Sequence, residues 1–285
     1  MRTGAAVNSE RSESSPAGRD ALSSKIDTSV AHPARRYDYW LGGKDNFAAD
    51  RRSGDAVSAA FPTIRTTAIE NRRFLRRAVT YLSREVGIRQ FLDIGTGIPT
   101  ANNTHQVAQA IAPDARVVYV DNDPIVLAHA RALLTSSRQG ATTYLDADLR
   151  QPDQILNHPD LLSTLDLSQP VGLMLVAILH FIKDTDDPYG VVNRLVSAMP
   201  SGSYLALTHA THDYMPPETF AAVSAADTQM PFQFRSRDQF ARFFDGLDVQ
   251  PPGFVSVSEW RDGDEEQPRP TAADTAVYGA VARIA

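Results

Sequence analysis

The segment FLDIGTGIPT, residues 91–100, runs apolar strand formers into Asp93, Gly95, Gly97 and Pro99. Glycine after a strand lets the backbone turn tightly and lets a ligand approach the amides, and the helix N-terminus that follows favours negative charge. A second acid, Asp121, closes the next apolar run 26 positions after Gly95 and is followed by Asn122, Asp123 and Pro124. In a doubly wound sheet a carboxylate at that place lies beside the glycine turn and accepts both hydroxyls of a ribose. Asp123 reads as the cap of the helix opening at Pro124, which leaves Asp121 and Asn122 to a ligand. A third acidic element, LDADLR at 145–150, ends the following strand where an adenine edge would lie; it offers Asp146 or Asp148, with Leu149 beside them. The turn lacks the third glycine of G-x-G-x-x-G, and Pro99 removes one amide donor, so a pyrophosphate is poorly served. The expected ligand is a nucleoside without a diphosphate.

These residues require a sheet to position them. From residue 89 onward short apolar runs alternate with amphipathic stretches, the mark of βαβ units and a parallel sheet. Strands are expected at 90–94, 116–120, 142–145, 171–177 and 202–208, with helices at 102–111, 124–136 and 189–199 between them. Helical stretches at 217–226 and 237–244 precede two last strands, 254–260 and 276–284. The charged RDGDEEQPRP between those strands reads as a solvated hairpin connection. Upstream, residues 64–86 carry Leu75, Val79, Leu82 and Val86 at the spacing of one helix face. The same helix holds Arg72, Arg73, Arg76 and Arg77, a basic cluster that is either a solvated face or a place for a carboxylate or nucleic acid.

Composition bounds the function. The 285 residues are 42% apolar and 22% charged, within the globular range, and residues 1–28, rich in Ser, Arg and Glu, read as a disordered tail. A net charge of −6 gives no general attraction for nucleic acid or anionic lipid, and the absence of cysteine removes disulfides, thiolate metal sites and a catalytic thiol. The longest apolar run, residues 171–179, is too short to cross a bilayer, and no secretory signal opens the chain. A soluble, cytoplasmic protein is expected, with a homodimer left open. Two histidines, His180 and His209, follow apolar strands and are candidate bases at the sheet edge, or else line the pocket or bond the backbone. His209 and His212 are not read as a metal pair, because no second ligand cluster exists.

With Asp93-x-Gly95-x-Gly97, Asp121 and Asp148 in these places, the chain resembles class I S-adenosylmethionine-dependent methyltransferases. Five blocks, ARRYDYWLGGKDNFAADR (34–51), NRRFLRRAV (71–79), QFLDIGTGIPT (90–100), VVYVDNDPIVLAHARALL (117–134) and ILHFI (178–182), resemble an actinobacterial S-adenosyl methyltransferase family, formerly a domain of unknown function. The resemblance implies a Rossmann-like α/β fold: seven strands, mostly parallel, the last antiparallel, helices on both faces, and an N-terminal cap over residues 29–88 ahead of a methyltransferase domain at 89–285. It implies S-adenosylmethionine at the carboxyl ends of the first strands and does not name the methyl acceptor; the net charge weighs for a small molecule over a nucleic acid. The cap segment YDYWLGGKDNF lacks helical or strand periodicity and reads as a shaped loop. Its aromatics, Tyr37 among them, would wall the site and Lys44 would meet the methionyl carboxylate; alternatively they anchor the cap, and Lys44 pairs with Asp45 or Asp50. Two other functions stay open at this point: a nicotinamide oxidoreductase, and a regulatory protein that binds the cofactor without turning it over.

Overall fold

Strands apolar on both faces must be covered on both, and three such strands form the centre of this molecule: β1 (Gln90–Ile94), β4 (Gly172–Leu175) and β5 (Tyr204–Ala210) are buried along their whole length. The computed structural model describes residues 27–133, 136–226, 230–263 and 265–285. Most of the expected tail therefore lies outside the described residues. β2 (Arg116–Asp121) and β3 (Ala141–Asp146) extend the sheet on one side of β1. Beyond β5, the long antiparallel β8 (Val277–Arg283) pairs with two short strands, β6 (Asp248–Val249) and β7 (Val255–Ser256). The order is β3-β2-β1-β4-β5-β8-β6, with β7 on β8. Chain order reverses between β1 and β4, and in such sheets the crevice outside the carboxyl ends at that point receives ligands.

The sheet has eight strands where seven were expected. The stretch 254–260 does not run as one strand: only Val255–Ser256 pairs, and Asp248–Val249 pairs separately. Pro251 and Pro252 separate them, and proline has no N–H to give a ladder. Two short helices, Pro152–Leu156 and Pro159–Thr164, fill the stretch between β3 and β4 that the sequence left unassigned.

Alternation along the strands separates two cores. Leu92, Val118, Leu173 and Leu205 face one side with Leu195, Phe240 and Phe243; Phe91, Val117, Met174 and Ala206 face the other with Phe74, Val79 and Trp260. The second side is covered by the helix expected over 64–86, which is α-helical over Ile64–Tyr81 and ends in a wider π turn, Leu82–Val86, closed by Gly87. Gly279 in β8 allows the close approach of Phe74, since a Cβ there would stand 2.8 Å from the ring.

The clustered arginines of this helix, Arg72, Arg73, Arg76 and Arg77, do not form a freely solvated basic face. Arg77 is buried and donates to Trp260 O (2.8 Å), Val257 O (2.5 Å) and Glu265 (2.9 Å); Arg76 meets the same Glu265 at 2.5 Å, and Arg73 meets Glu70 at 2.7 Å. Glu265 belongs to the acidic segment expected to be a solvated connection; instead that segment docks on the helix, and Arg269 from its far end pairs with Glu70.

The N-terminal cap consists of helices Pro33–Trp40 and Ala48–Ala60, packed on the start of the long helix around Trp40, Val57 and Ala68. The segment read as a shaped loop is thus helical as far as Trp40, because Pro33 at the first turn and His32 as cap start a helix whose last turn carries the aromatics. The loop proper follows, folded around the Asp38 carboxylate, which accepts from Asp45 N (3.0 Å) and Asn46 Nδ2 (2.8 Å). No helix among the described residues is long and apolar enough to cross a membrane.

Candidate active site

A cavity of about 350 Å³ opens at the switch point, beyond the carboxyl ends of β1, β2 and β4. Asp93 and Asp121 lie on the face covered by the long helix, with Asp93 in register with Tyr119. Gly95, at φ +77°, turns the chain out of β1, and a Cβ there would strike Ile178 at 2.6 Å. Gly97, at φ +66°, faces open space and donates its amide to Asp121 Oδ2 (2.8 Å). Asp121 Oδ1 accepts from Asp123 N (3.0 Å). Each Asp121 oxygen therefore keeps a lone pair for a further donor, the arrangement a vicinal diol requires. Burial raises the Asp121 carboxyl above its ordinary range, against the pull of the two amides. Burial also pushes Asp93 up to about 6, although the Thr104 hydroxyl donates to it at 2.6 Å and Arg72 opposes the shift.

Asn122, Asp148 and Leu149 line the same cavity; Asn122 Nδ2 stands 3.3 Å from Asp148 Oδ2, and Arg150 donates to both Asp148 oxygens at 2.9 Å. Of the two acids offered by the third strand, Asp146 is exposed outside the cavity and Asp148 is inside it. Asp123 does cap its helix, accepting from Ile125 N (3.0 Å), and its Oδ2 also lies 3.0 Å from Arg35 Nε and from His32 Nδ1. Burial alone would raise this carboxyl, but His32, the Ile125 amide and Arg35 bring it down to about 2.

Lys44 is not brought to the site. It is exposed on the cap loop and lines neither cavity, because the loop is drawn around Asp38 and the helix before it presents Tyr37 instead. Two arginines line the cavity: Arg150, paired with Asp148, and Arg72, which reaches across to Ala101 O (3.1 Å) and Asn103 Oδ1 (3.3 Å) after the glycine turn. Tyr37 lines the cavity and is fixed by donating to Ala68 O (2.9 Å) and accepting from Asn71 Nδ2 (3.2 Å).

A second cavity, of about 170 Å³, adjoins the first. Tyr37, Asn71, Ala177, Phe181 and Met230 line both, so the two share a wall. Ala177, just past β4, holds φ +59° and donates its amide to Thr208 Oγ1 (2.9 Å), a conformation that alanine adopts only when its surroundings impose it. The two histidines part company here. His180 lines the second cavity, and its buried Nδ1 has no hydrogen-bond partner. His209 does not emerge at the sheet edge, because β5 continues to Ala210; its Nε2 lies 2.6 Å from Arg235 Nη1 and its Nδ1 lies 2.8 Å from Ala210 O. Burial and the Arg235 charge push His209 down to about 3, leaving a neutral ring with both nitrogens engaged and no capacity to act as a base. Neither His209 nor His212 belongs to a metal-binding group, none of which occurs among the described residues.

Nothing in the spacing of the sequence marked Asn71 or Phe181 as site residues. Asn71 lies four residues before the stripe residue Leu75 in the long helix, and its signal is a buried amide in line with that stripe, one turn after the buried Thr67.

The profile of a family described as S-adenosyl methyltransferase matches residues 19–285. This chain belongs to that family. The methyltransferase is similar in structure to a DUF574-family protein from Streptomyces avermitilis, with 45% identity over 91% of this chain and 99% of that one and a TM-score of 0.86. It is similar also to a protein from Thermobifida fusca YX, with 38% identity over 95% and 99% of the two chains and a TM-score of 0.82. No curated protein matches it. The cofactor of the methyltransferase is S-adenosylmethionine, and the first cavity fits it: free lone pairs on Asp121 for a diol, open space at Gly97, and a guanidinium for a carboxylate.

Proposed function

We propose that the methyltransferase acts on a small-molecule acceptor held in the second cavity, with S-adenosylmethionine held in the first. The observation that carries this reading is the shared wall: a polar crevice at the switch point adjoins an apolar chamber closed by the N-terminal cap. Asp121 would hold the ribose and Asp148, with Asn122 and Leu149, the adenine; Asp93, Gly95, Gly97 and Arg72 would hold the methionyl end, and Tyr37 would divide the two cavities. The cofactor supplies an electrophilic methyl group. The chain's own work is then to align the acceptor, to exclude water and to take a proton where the acceptor carries one. His180 is the group placed for the last task. Burial above all, with the charges of Arg36 and Arg235, disfavours a protonated ring, so His180 rests neutral with an unpartnered Nδ1. The net charge of −6 supports a small molecule over a nucleic acid as acceptor, and we place the protein in the cytoplasm.

Calorimetry of the full chain with S-adenosylhomocysteine, NAD⁺ and NADP⁺ tests the assignment of the first cavity. Micromolar binding of the thioether with none of the dinucleotides is expected. Binding of a dinucleotide in its place would return the oxidoreductase reading.

A further inference from the structure

The walls of the second cavity specify its occupant more narrowly than "small molecule". Its volume of about 170 Å³ is close to that of an engineered apolar cavity of roughly 150 Å³ that holds benzene. One substituted ring fits, and the walls suit a flat one: Trp40, Phe61, Phe181, Phe232 and Phe234 all face it. Among the buried polar atoms of its lining that have no partner are His180 Nδ1 and Asn71 Oδ1. A buried polar atom left without a partner is costly, so an occupant that gives either of them one is favoured over an occupant that gives neither. Asn71 Oδ1, an amide oxygen, only accepts, while its Nδ2 donates to the Tyr37 hydroxyl. The His180 nitrogen accepts or donates according to its tautomer. A hydroxyl has one hydrogen to give; donated to His180 Nδ1 it meets the group able to take the proton, and Asn71 Oδ1 is left for a second donor on the same ring.

Charge narrows the choice further. Among the described residues no Asp, Glu or Lys lines the cavity, so an ammonium group inside it would have no counter-charge. An amine acceptor keeps as an ammonium the charge it gains on methylation and is disfavoured for the same reason, whereas a phenol gives its proton to His180 as its oxygen takes the methyl group and so ends neutral. The charged side chain that does line it, Arg36, lies over the Trp40 ring at 4.9 Å and donates to Ser53 Oγ at 3.1 Å, directed to the cap. An anionic acceptor would have to draw it away from both.

We propose, resting on the assignment of the two cavities above, that the acceptor is an uncharged single-ring phenol whose hydroxyl donates to His180. The test is calorimetric titration of the full chain, saturated with S-adenosylhomocysteine, by four molecules of nearly equal size: p-cresol, toluene, p-methylbenzylamine and p-toluate. p-Cresol is expected to bind at least tenfold more tightly than toluene and than either ion. In His180→Ala the preference for p-cresol over toluene should fall below threefold, and in His180→Gln, which restores a hydrogen-bonding group, most of it should return; affinity for S-adenosylhomocysteine should stay within threefold in both. Equal binding of p-cresol and toluene, a preference for the ammonium or the carboxylate, or a cresol preference undiminished in His180→Ala would each overturn the proposal. The four-ligand series in the wild-type chain decides the matter even where a variant fails to fold. Failure of S-adenosylhomocysteine itself to bind would instead overturn the assignment of the first cavity, so the two readings fail separately.

Discussion

Asp121 and Asp93 sit on the same face of neighbouring strands, yet their chemistry differs because their hydrogen-bond partners differ. Asp121 holds two backbone amides and keeps acceptor capacity for a ligand. Asp121→Ala should weaken binding of S-adenosylhomocysteine by about 1–3 kcal/mol, the worth of charge-assisted bonds lost, read by calorimetry on a variant shown to be folded. Unchanged affinity would remove Asp121 from the site. Asp93 has one hydroxyl donor, and burial pushes it up to about 6 from 3.8. A carboxyl raised in this way binds more protons folded than unfolded between about pH 4 and 6, so the stability of the protein falls as pH rises through that window. The deficit at neutral pH is about 3 kcal/mol for two pKa units. Asp93→Asn keeps an acceptor for Thr104 and removes the titration. It should be more stable than wild type at pH 7 by up to that amount and equal to it below pH 4, in urea melts across pH; an offset independent of pH would refute the cause given. Both acids were legible in the sequence from their place after apolar runs. The contrast between their surroundings was not, since it depends on Thr104 and on amides brought up by the turn. Lys44 and His209 show the same limit. Residue type pointed to each, but Asp38 draws the loop of Lys44 away from the cavity, and two more residues of β5 bury His209.

At the scale of elements, period and punctuation gave the strands and helices around the switch point nearly to their ends, because each is bounded by Pro or Gly and backed by burial. What the periodicity could not give was the partner of a charged face. The arginines at 72–77 and Glu265 lie far apart in the chain, and each stretch alone reads as solvated. Folding joins them: Arg77 spans from the long helix to two carbonyls after β7 and to Glu265. Arg77→Met should cost about 2–4 kcal/mol of stability, since it leaves buried carbonyls and a carboxylate without that donor. Arg76→Met, which removes an arginine nearly half exposed, should cost no more than about 1 kcal/mol. Urea midpoints of the two variants check the contrast, and equal losses would show that the pairing is no more than a surface ion pair.

At the scale of the molecule, a buried carboxylate joins the cap to the sheet beside the cofactor cavity. Asp123, at the end of β2, caps the following helix with one oxygen and holds His32 and Arg35 of the cap with the other. Residues 30–34, on the segment so anchored, form part of the cavity lining. The carboxyl is brought down to about 2, so its contribution is fully present above about pH 4 and is lost as pH falls through 2. The fall from 3.8 to about 2 corresponds to about 2.5 kcal/mol. Asp123→Asn retains the helix cap but not the charge. It should lose about that much stability at pH 7, the gap to wild type closing as the pH is lowered from 4 towards 2. If the carboxylate is the joint between cap and sheet, the loss is local as well as global: backbone hydrogen exchange over 27–40 should accelerate while β1, β4 and β5 stay protected, and affinity for S-adenosylhomocysteine should drop several-fold. Exchange over 27–40 that matches wild type would show that the cap is held by the Trp40, Val57 and Ala68 contacts alone, and that the cofactor cavity closes without this ion pair.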